Sequence, residues 1–173
     1  FIRNNLAPSI AEEVISFDKE LSVIIVRDKE GNIKTYEPGE NVHESGILVT
    51  TTLPSPTSEA VKNTAITIAR KIVADLDYIG VMGVEFFLKE NELYVNEIAP
   101  RVHNSGHWTI DGSYSSQFQQ HIRAIMDLPL LSTERHSDII MYNLVGKMTS
   151  KLVNNELAKV YICLLYTSPS PRD

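Results

Sequence analysis

The sequence contains a single cysteine, Cys163, so it can form no internal disulfide, and this usage fits a reducing compartment. It lacks any apolar run of the roughly 20 residues that a membrane-crossing helix requires. Basic side chains are the minority, 16 Lys and Arg against 22 Asp and Glu for a net charge of −6, and they gather into no stripe. That argues against a nucleic-acid surface, although small anions can still be captured locally by a few donors and a metal. No charged-then-apolar leader opens the chain, which starts Phe1-Ile2-Arg3 without a methionine; the expectation is a cytoplasmic chain with cut ends. Internal repeats are absent, and the one biased stretch is the Ser/Pro-rich end, residues 164–173. What remains, 43% hydrophobic and 22% charged over 173 residues, is the composition of a globular protein of one domain or a little more.

Along the chain, residues 12–16 and 21–27 read as strands. Asp28-Lys29-Glu30-Gly31-Asn32 reads as a turn, and residues 33–37 as the returning strand. After Pro38-Gly39 and a polar connection, residues 47–53 form another strand. Ser58 is suited to cap a helix, with Glu59 in its first turn. Val61, Ala65, Ile68, Ala69, Ile72, Val73 and Leu76 keep helical spacing for about four turns. A second helix follows Ser115 or Ser116, with Phe118, Ile122, Ile125 and Met126 as its expected apolar face and Pro129 as its stop. Residues 139–144 complete the pattern as a last strand.

The chemistry concentrates in residues 80–109. Two runs of strand formers, 81–88 and 93–98, flank the polar break Lys89-Glu90-Asn91-Glu92 and predict a β-hairpin. Each otherwise apolar run holds one acid, Glu85 in the first and Glu97 in the second. An odd-length loop centred on Asn91 would set the two opposite each other on one face. Facing carboxylates repel, and a divalent cation removes the conflict; Mg²⁺ typically takes one or two carboxylates together with substrate phosphates and water. With another loop parity, one acid simply faces solvent. Immediately beyond comes Pro100-Arg101-Val102-His103-Asn104-Ser105-Gly106-His107-Trp108-Thr109, a loop rich in side chains that bind and transfer.

The segments NEIAPRVHNSGHWT and SQFQQHIRAIMDLPL, with ISFDKELSVIIVRD, NVHESGIL and YIGVMGVEFF in the same order, resemble the 5-(carboxyamino)imidazole ribonucleotide synthase family of ATP-grasp ligases. The similarity runs from about Glu12 to Lys147. It implies an α+β fold, the C-terminal half of an ATP-grasp domain, with a mainly antiparallel sheet and two principal helices. The chain then divides into a poorly matching end at 1–10, a partial ATP-grasp domain at 11–147 and a truncated or foreign tail at 148–173. The implied activity is ATP-dependent carboxylation of 5-aminoimidazole ribonucleotide with bicarbonate, through carboxyphosphate, with Mg²⁺ (or Mn²⁺) as the metal and a homodimer as the full-length assembly. By position, Glu85 and Glu97 correspond to the metal ligands, with Asn96 beside the phosphates. Glu12, Glu13, Val14 and Ile15 correspond to the adenine pocket, Glu20 to the ribose contact and His43 to a nucleotide contact. Arg101, His103, Asn104 and Ser105 would hold bicarbonate or carboxyphosphate and face the imidazole substrate. A planar guanidinium suits a planar bicarbonate, and an imidazole of ordinary pKa suits proton handling near neutrality.

Taken alone, several of these residues have blander readings. Glu20 reads as a solvated edge residue, His43 as part of a polar loop, and Arg101 as a structural partner for Glu97. His107 and Trp108 read as loop packing, His121 as a surface residue, His136 and Cys163 as without a role, and Met82 and Met126 as core fillers. The family's N-terminal domain, its nucleotide-binding lysine with a Gly-rich loop, and its basic C-terminal segment find no match. The expectation is therefore an internal fragment without synthase activity that exposes apolar surface. Rival readings are a glycinamide ribonucleotide transformylase or biotin carboxylase type of ligase, a retaining glycosidase using two close carboxylates, and an inactive cation- or nucleotide-binding remnant.

Overall fold

The computed structural model describes residues 12–144, and the expectations for residues 1–10 and for the tail at 148–173 lie outside them. The chain divides into two compact units after Tyr142, and the elements that follow belong to the first. Seven antiparallel strands form one sheet: β1 (Lys19–Arg27), β2 (Ile33–Thr35), β3 (Gly39–Glu44), β4 (Ile47–Leu53), β5 (Gly80–Lys89), β6 (Glu92–Ala99) and β7 (Ile139–Tyr142). The order is β6-β5-β1-β3-β4-β7, with β2 pairing the far end of β1. Helix α1 (Glu59–Asp75) crosses between β4 and β5. A 3₁₀ turn at Asn104–Gly106, a single turn α2 (Thr109–Gly112) and helix α3 (Gln117–Ile125) lie between β6 and β7.

Period-two alternation assigns the strand residues to two faces. On one, Leu21, Val23 and Ile25 of β1 join Met82, Val84, Phe86 and Leu88 of β5 beneath the Val61, Ala65, Ala69 and Val73 stripe of α1. Ser58 caps that helix by accepting from the Val61 N–H. Burying each large apolar side chain there contributes about 1.5–3 kcal/mol. The second face changes character along β1. Near the strand's end, Ile24 and Val26 pack with Val81, Tyr36, Leu53, Trp108 and Ala124; near its start lie Glu20 and Ser22. The core residues of β1 are buried because both faces are covered, so its run of branched residues reads as continuous rather than alternating.

Several expectations need correction. The polar connection expected after Pro38-Gly39 is itself strand β3, paired with β1 and β4. Residues 12–16 form no strand: no described strand pairs with them, and Val14 is 90% exposed. Ser116, one of the two expected caps, closes a capping box with Gln119 at the start of helix α3, but the helix presents the opposite side to the protein. Its buried residues are Gln117, Gln120 and Ala124, while Ile122, Ile125 and Met126 are exposed, Met126 to 64%, so Met126 fills no core. The glutamines are inside because they hydrogen-bond loop backbone: Gln120 with Leu131, and Gln117 with His103. His121 is likewise no free surface residue, since its Nδ1 accepts the Val81 N–H at 3.0 Å.

Candidate nucleotide and metal site

Glu85 and Glu97 come opposite each other, but by another route than an odd loop. The hairpin turn has two residues, Glu90 and Asn91, with φ of 50° and 72°, the left-handed pair of a tight primed turn. It pairs Lys89 with Glu92, Leu88 with Leu93, Phe87 with Tyr94 and Phe86 with Val95. Continued unbroken, that register would oppose Glu85 to Asn96 and turn Glu97 to the other face. A bulge between Phe86 and Glu85 takes up Asn96 and sets Glu85 against Glu97. Directly opposed residues have Cβ atoms about 5 Å apart. Glu85 is buried and Glu97 half-buried.

Around Glu85 the same face gathers side chains from three strands and a loop. Ser22 pairs with Glu85 across β1 and β5, and Glu20 of β1 pairs with Asn41 of β3. His43 donates from Nδ1 to Glu20 at 2.9 Å, and its Nε2 lies 4.0 Å from Glu85. Glu20 is thus a partnered, enclosed carboxylate rather than a solvated edge residue. Asn41 is 4% exposed; its carbonyl oxygen accepts from the Ser22 and Thr51 hydroxyls, and its Nδ2 has no partner among the described residues. Phe17 stacks on Phe87 with ring centroids 4.3 Å apart, bringing the residue 12–17 segment to this end of the sheet. Glu12, Glu13 and Val14 are exposed, Ile15 is half-buried, and the charge of Glu13 reaches the Tyr94 phenol. Asn96, the bulge residue, is exposed.

The loop after β6 delivers His103 and Ser105. His103 is 5% exposed, with Nδ1 2.8 Å from Ser105 Oγ and 3.8 Å from Glu85. Its ring sits over Gly83, where an added Cβ would come within 2.8 Å of His103 Cβ and Cγ. Gln117 holds the His103 backbone from both sides: its Oε1 accepts from the N–H at 2.9 Å and its Nε2 donates to the carbonyl at 2.6 Å. Burial, with smaller contributions from Arg101, His107 and His43, pushes the His103 pKa down to about 3. That is far below the ordinary imidazole value on which the expectation of proton handling near neutrality was based. Asn104 is half-buried, and its side-chain oxygen accepts from the Ser105 N–H. Exposed Arg101 donates to the Val102 carbonyl. Trp108 packs edge-on to Tyr36 in the core, as loop packing predicts, and His107 lies against Phe118.

Ser22, Asn41, Gly83 and Gln117 were not singled out by sequence reading. Ser22 and Asn41 look like ordinary strand polars, and only the pairing across β1, β3 and β5 places them beside Glu20 and Glu85. Two open cavities lie elsewhere. One, of about 680 Å³, is lined by Asp28, Arg70 and Asp127 among others; the other, of about 520 Å³, by Glu37, Lys62 and Arg135 among others.

The sheet thus carries paired acids on one face and a long helix on the other. The ATP-grasp domain model matches residues 2–118, and the chain belongs to the ATP-grasp family. It is 50% identical over 153 residues to the N5-carboxyaminoimidazole ribonucleotide synthase of Brucella melitensis, covering 88% of this chain and 42% of that protein. The Saccharolobus solfataricus synthase is 40% identical, covering 93% and 43%. Among solved structures, the Thermus thermophilus synthetase superposes with a TM-score of 0.75 at 45% identity, covering 78% of this chain and 38% of that one. The Aspergillus clavatus synthase, solved in complex with ADP and 5-aminoimidazole ribonucleotide, gives 0.72 at 42% identity, covering 76% and 36%. The chain spans a little over two-fifths of the length of these curated relatives.

Proposed function

We propose that this chain carries the carboxylate-bearing half of the nucleotide site of a cytoplasmic ligase that joins bicarbonate to 5-aminoimidazole ribonucleotide at the expense of ATP, by way of carboxyphosphate. The observation that carries this reading is the convergence of Glu85, Glu97, Glu20, His43 and His103 on one sheet face, in a chain half identical to such a synthase. Glu85 and Glu97 would hold the metal. Two opposed carboxylates fit Mg²⁺, which keeps several waters and takes its remaining oxygens from substrate phosphates. They do not fit a metal needing a closed protein cage, and among the described residues no group of three or more ligands forms one. Bound there, Mg²⁺ would neutralise the charge of the transferring phosphoryl group.

The chain's own residues supply position. Glu20, held by His43, offers a carboxylate for the ribose hydroxyls, and residues 12–15 run past the same end of the sheet, where backbone groups can meet a purine. Asn96, at the bulge beside Glu97, would stand next to the phosphates. Arg101, exposed at the mouth of the loop, suits two-point capture of bicarbonate, with His103, Asn104 and Ser105 behind it. The parent enzyme is a homodimer in this reading.

Purified alone, the 173-residue chain shows no bicarbonate-dependent ATP hydrolysis, because phosphoryl transfer needs a covering half as well as a metal half. Calorimetry with Mg²⁺ and ADP tests whether it still binds nucleotide. Grafted into the Brucella relative in place of the matching segment, it supports ATP hydrolysis that depends on both bicarbonate and 5-aminoimidazole ribonucleotide, and Glu97→Gln abolishes it. A graft that responds to glycinamide ribonucleotide instead, or that tolerates Glu97→Gln, refutes the assignment.

A further inference from the structure

The two ring nitrogens of His103 have different surroundings. Nδ1 meets Ser105 Oγ at 2.8 Å and stands 3.8 Å from Glu85, while no described residue takes up Nε2. A neutral imidazole carries its N–H on one nitrogen only, so the role of Nδ1 decides whether Nε2 offers a proton or a lone pair. Two effects compete. The Glu85 carboxylate favours the proton on Nδ1, but 3.8 Å is beyond hydrogen-bond range. Ser105 is 0% exposed, and among the described residues Nδ1 is the one partner of its hydroxyl. A proton on Nδ1 would leave the serine O–H enclosed without an acceptor, the costlier fault of the two. The hydroxyl therefore donates, and Nδ1 accepts.

We propose that Ser105 is a positioning residue that fixes His103 as its Nε2–H tautomer, so that the ring presents an N–H donor to an oxygen of bound bicarbonate. The proposal deepens the reading above, in which His103 faces that substrate, and it changes the part given to Ser105. A fully enclosed hydroxyl committed to a ring nitrogen orients another residue and does not itself hold the anion. The Gly83 slot and the two Gln117 bonds keep the ring where this bond can act. As a donor, Nε2 attracts an oxyanion without lending it a proton, and it has no lone pair with which to accept from an amine.

The test is long-range ¹H–¹⁵N NMR on the 173-residue chain with ¹⁵N-labelled histidine at neutral pH, with His103→Asn assigning the signals. The expected spectrum shows a protonated Nε2 and a bare Nδ1 for His103. Ser105→Ala frees the ring, moving the population toward protonated Nδ1 facing Glu85, and Ser105→Thr restores the original pattern. Protonated Nδ1 in the unaltered chain, or ring signals that Ser105→Ala leaves unchanged, overturns the proposal. If Ser105→Ala does not fold, the unaltered chain and Ser105→Thr still decide it. The tautomer is read without turnover, so a failure of the ligase assignment shows in the graft experiment and not here.

Discussion

The two faces of the sheet are built to different rules, and β1 shows both within six residues. Leu21, Val23 and Ile25 point to α1 and meet only apolar partners; Glu20 and Ser22 point the other way, into hydroxyls, imidazoles and acids. The helix-covered face buys rigidity that the polar face cannot supply for itself. There, Asn41 keeps an unpartnered Nδ2, and two carboxylates stand opposed across β5 and β6. Chemistry that would destabilise an isolated hairpin is tolerated because the reverse of the same strands is sealed.

The comparison breaks first at Phe86. Phe86→Ala costs about 3–5 kcal/mol in urea unfolding. Ser22→Ala, on the facing side of the neighbouring strand, loses one long hydrogen bond and costs under ~1 kcal/mol; equal costs would show that the faces are not differently built. Next is the seam where α3 meets β5. His121→Leu removes the acceptor of the Val81 N–H and costs about 1–3 kcal/mol in the same assay, while His121→Asn, which keeps an acceptor, recovers part of it.

Acid sharpens the contrast further. His103 is held well below its unfolded value of 6.5, so the unfolded chain binds more protons between that value and about 3. Stability is fully present above about pH 6.5 and falls as the pH drops through this window, by on the order of 1 kcal/mol per pH unit from this residue. His107 and His121, also lowered by burial, add to the slope in the same direction. Denaturant midpoints from pH 7 to pH 4 read it directly; a flat profile counts against the buried neutral ring. Smallest is the outward side of α3, where Met126→Lys shifts stability by no more than ~0.5 kcal/mol.

What the sequence revealed follows the same division. Helix α1 was legible from its apolar period, and strands β1 and β4 and the β5–β6 hairpin from runs of branched and aromatic residues, with the cap at Ser58 and the turn at residues 28–32 marking ends. Helix α3 was read with its sides reversed, since Gln117 and Gln120 are buried for hydrogen bonds to loop carbonyls and amides that have no sequence period. The facing of Glu85 and Glu97 was anticipated from a loop length that the chain does not have, because a bulge leaves no local signature in side-chain chemistry. Glu20, His43 and His103 were legible through family resemblance alone. Ser22, Asn41 and Gly83 became visible only once three strands distant in sequence were laid side by side.

The extra residue at Asn96 has one more effect. Strand β6 ends the sheet among the described residues, and its open rim of amides and carbonyls is a template on which a stray strand could grow. An irregular rim bearing acids spoils that template. The insertion that brings two glutamates face to face thus also blunts the margin of the protein against unwanted self-association.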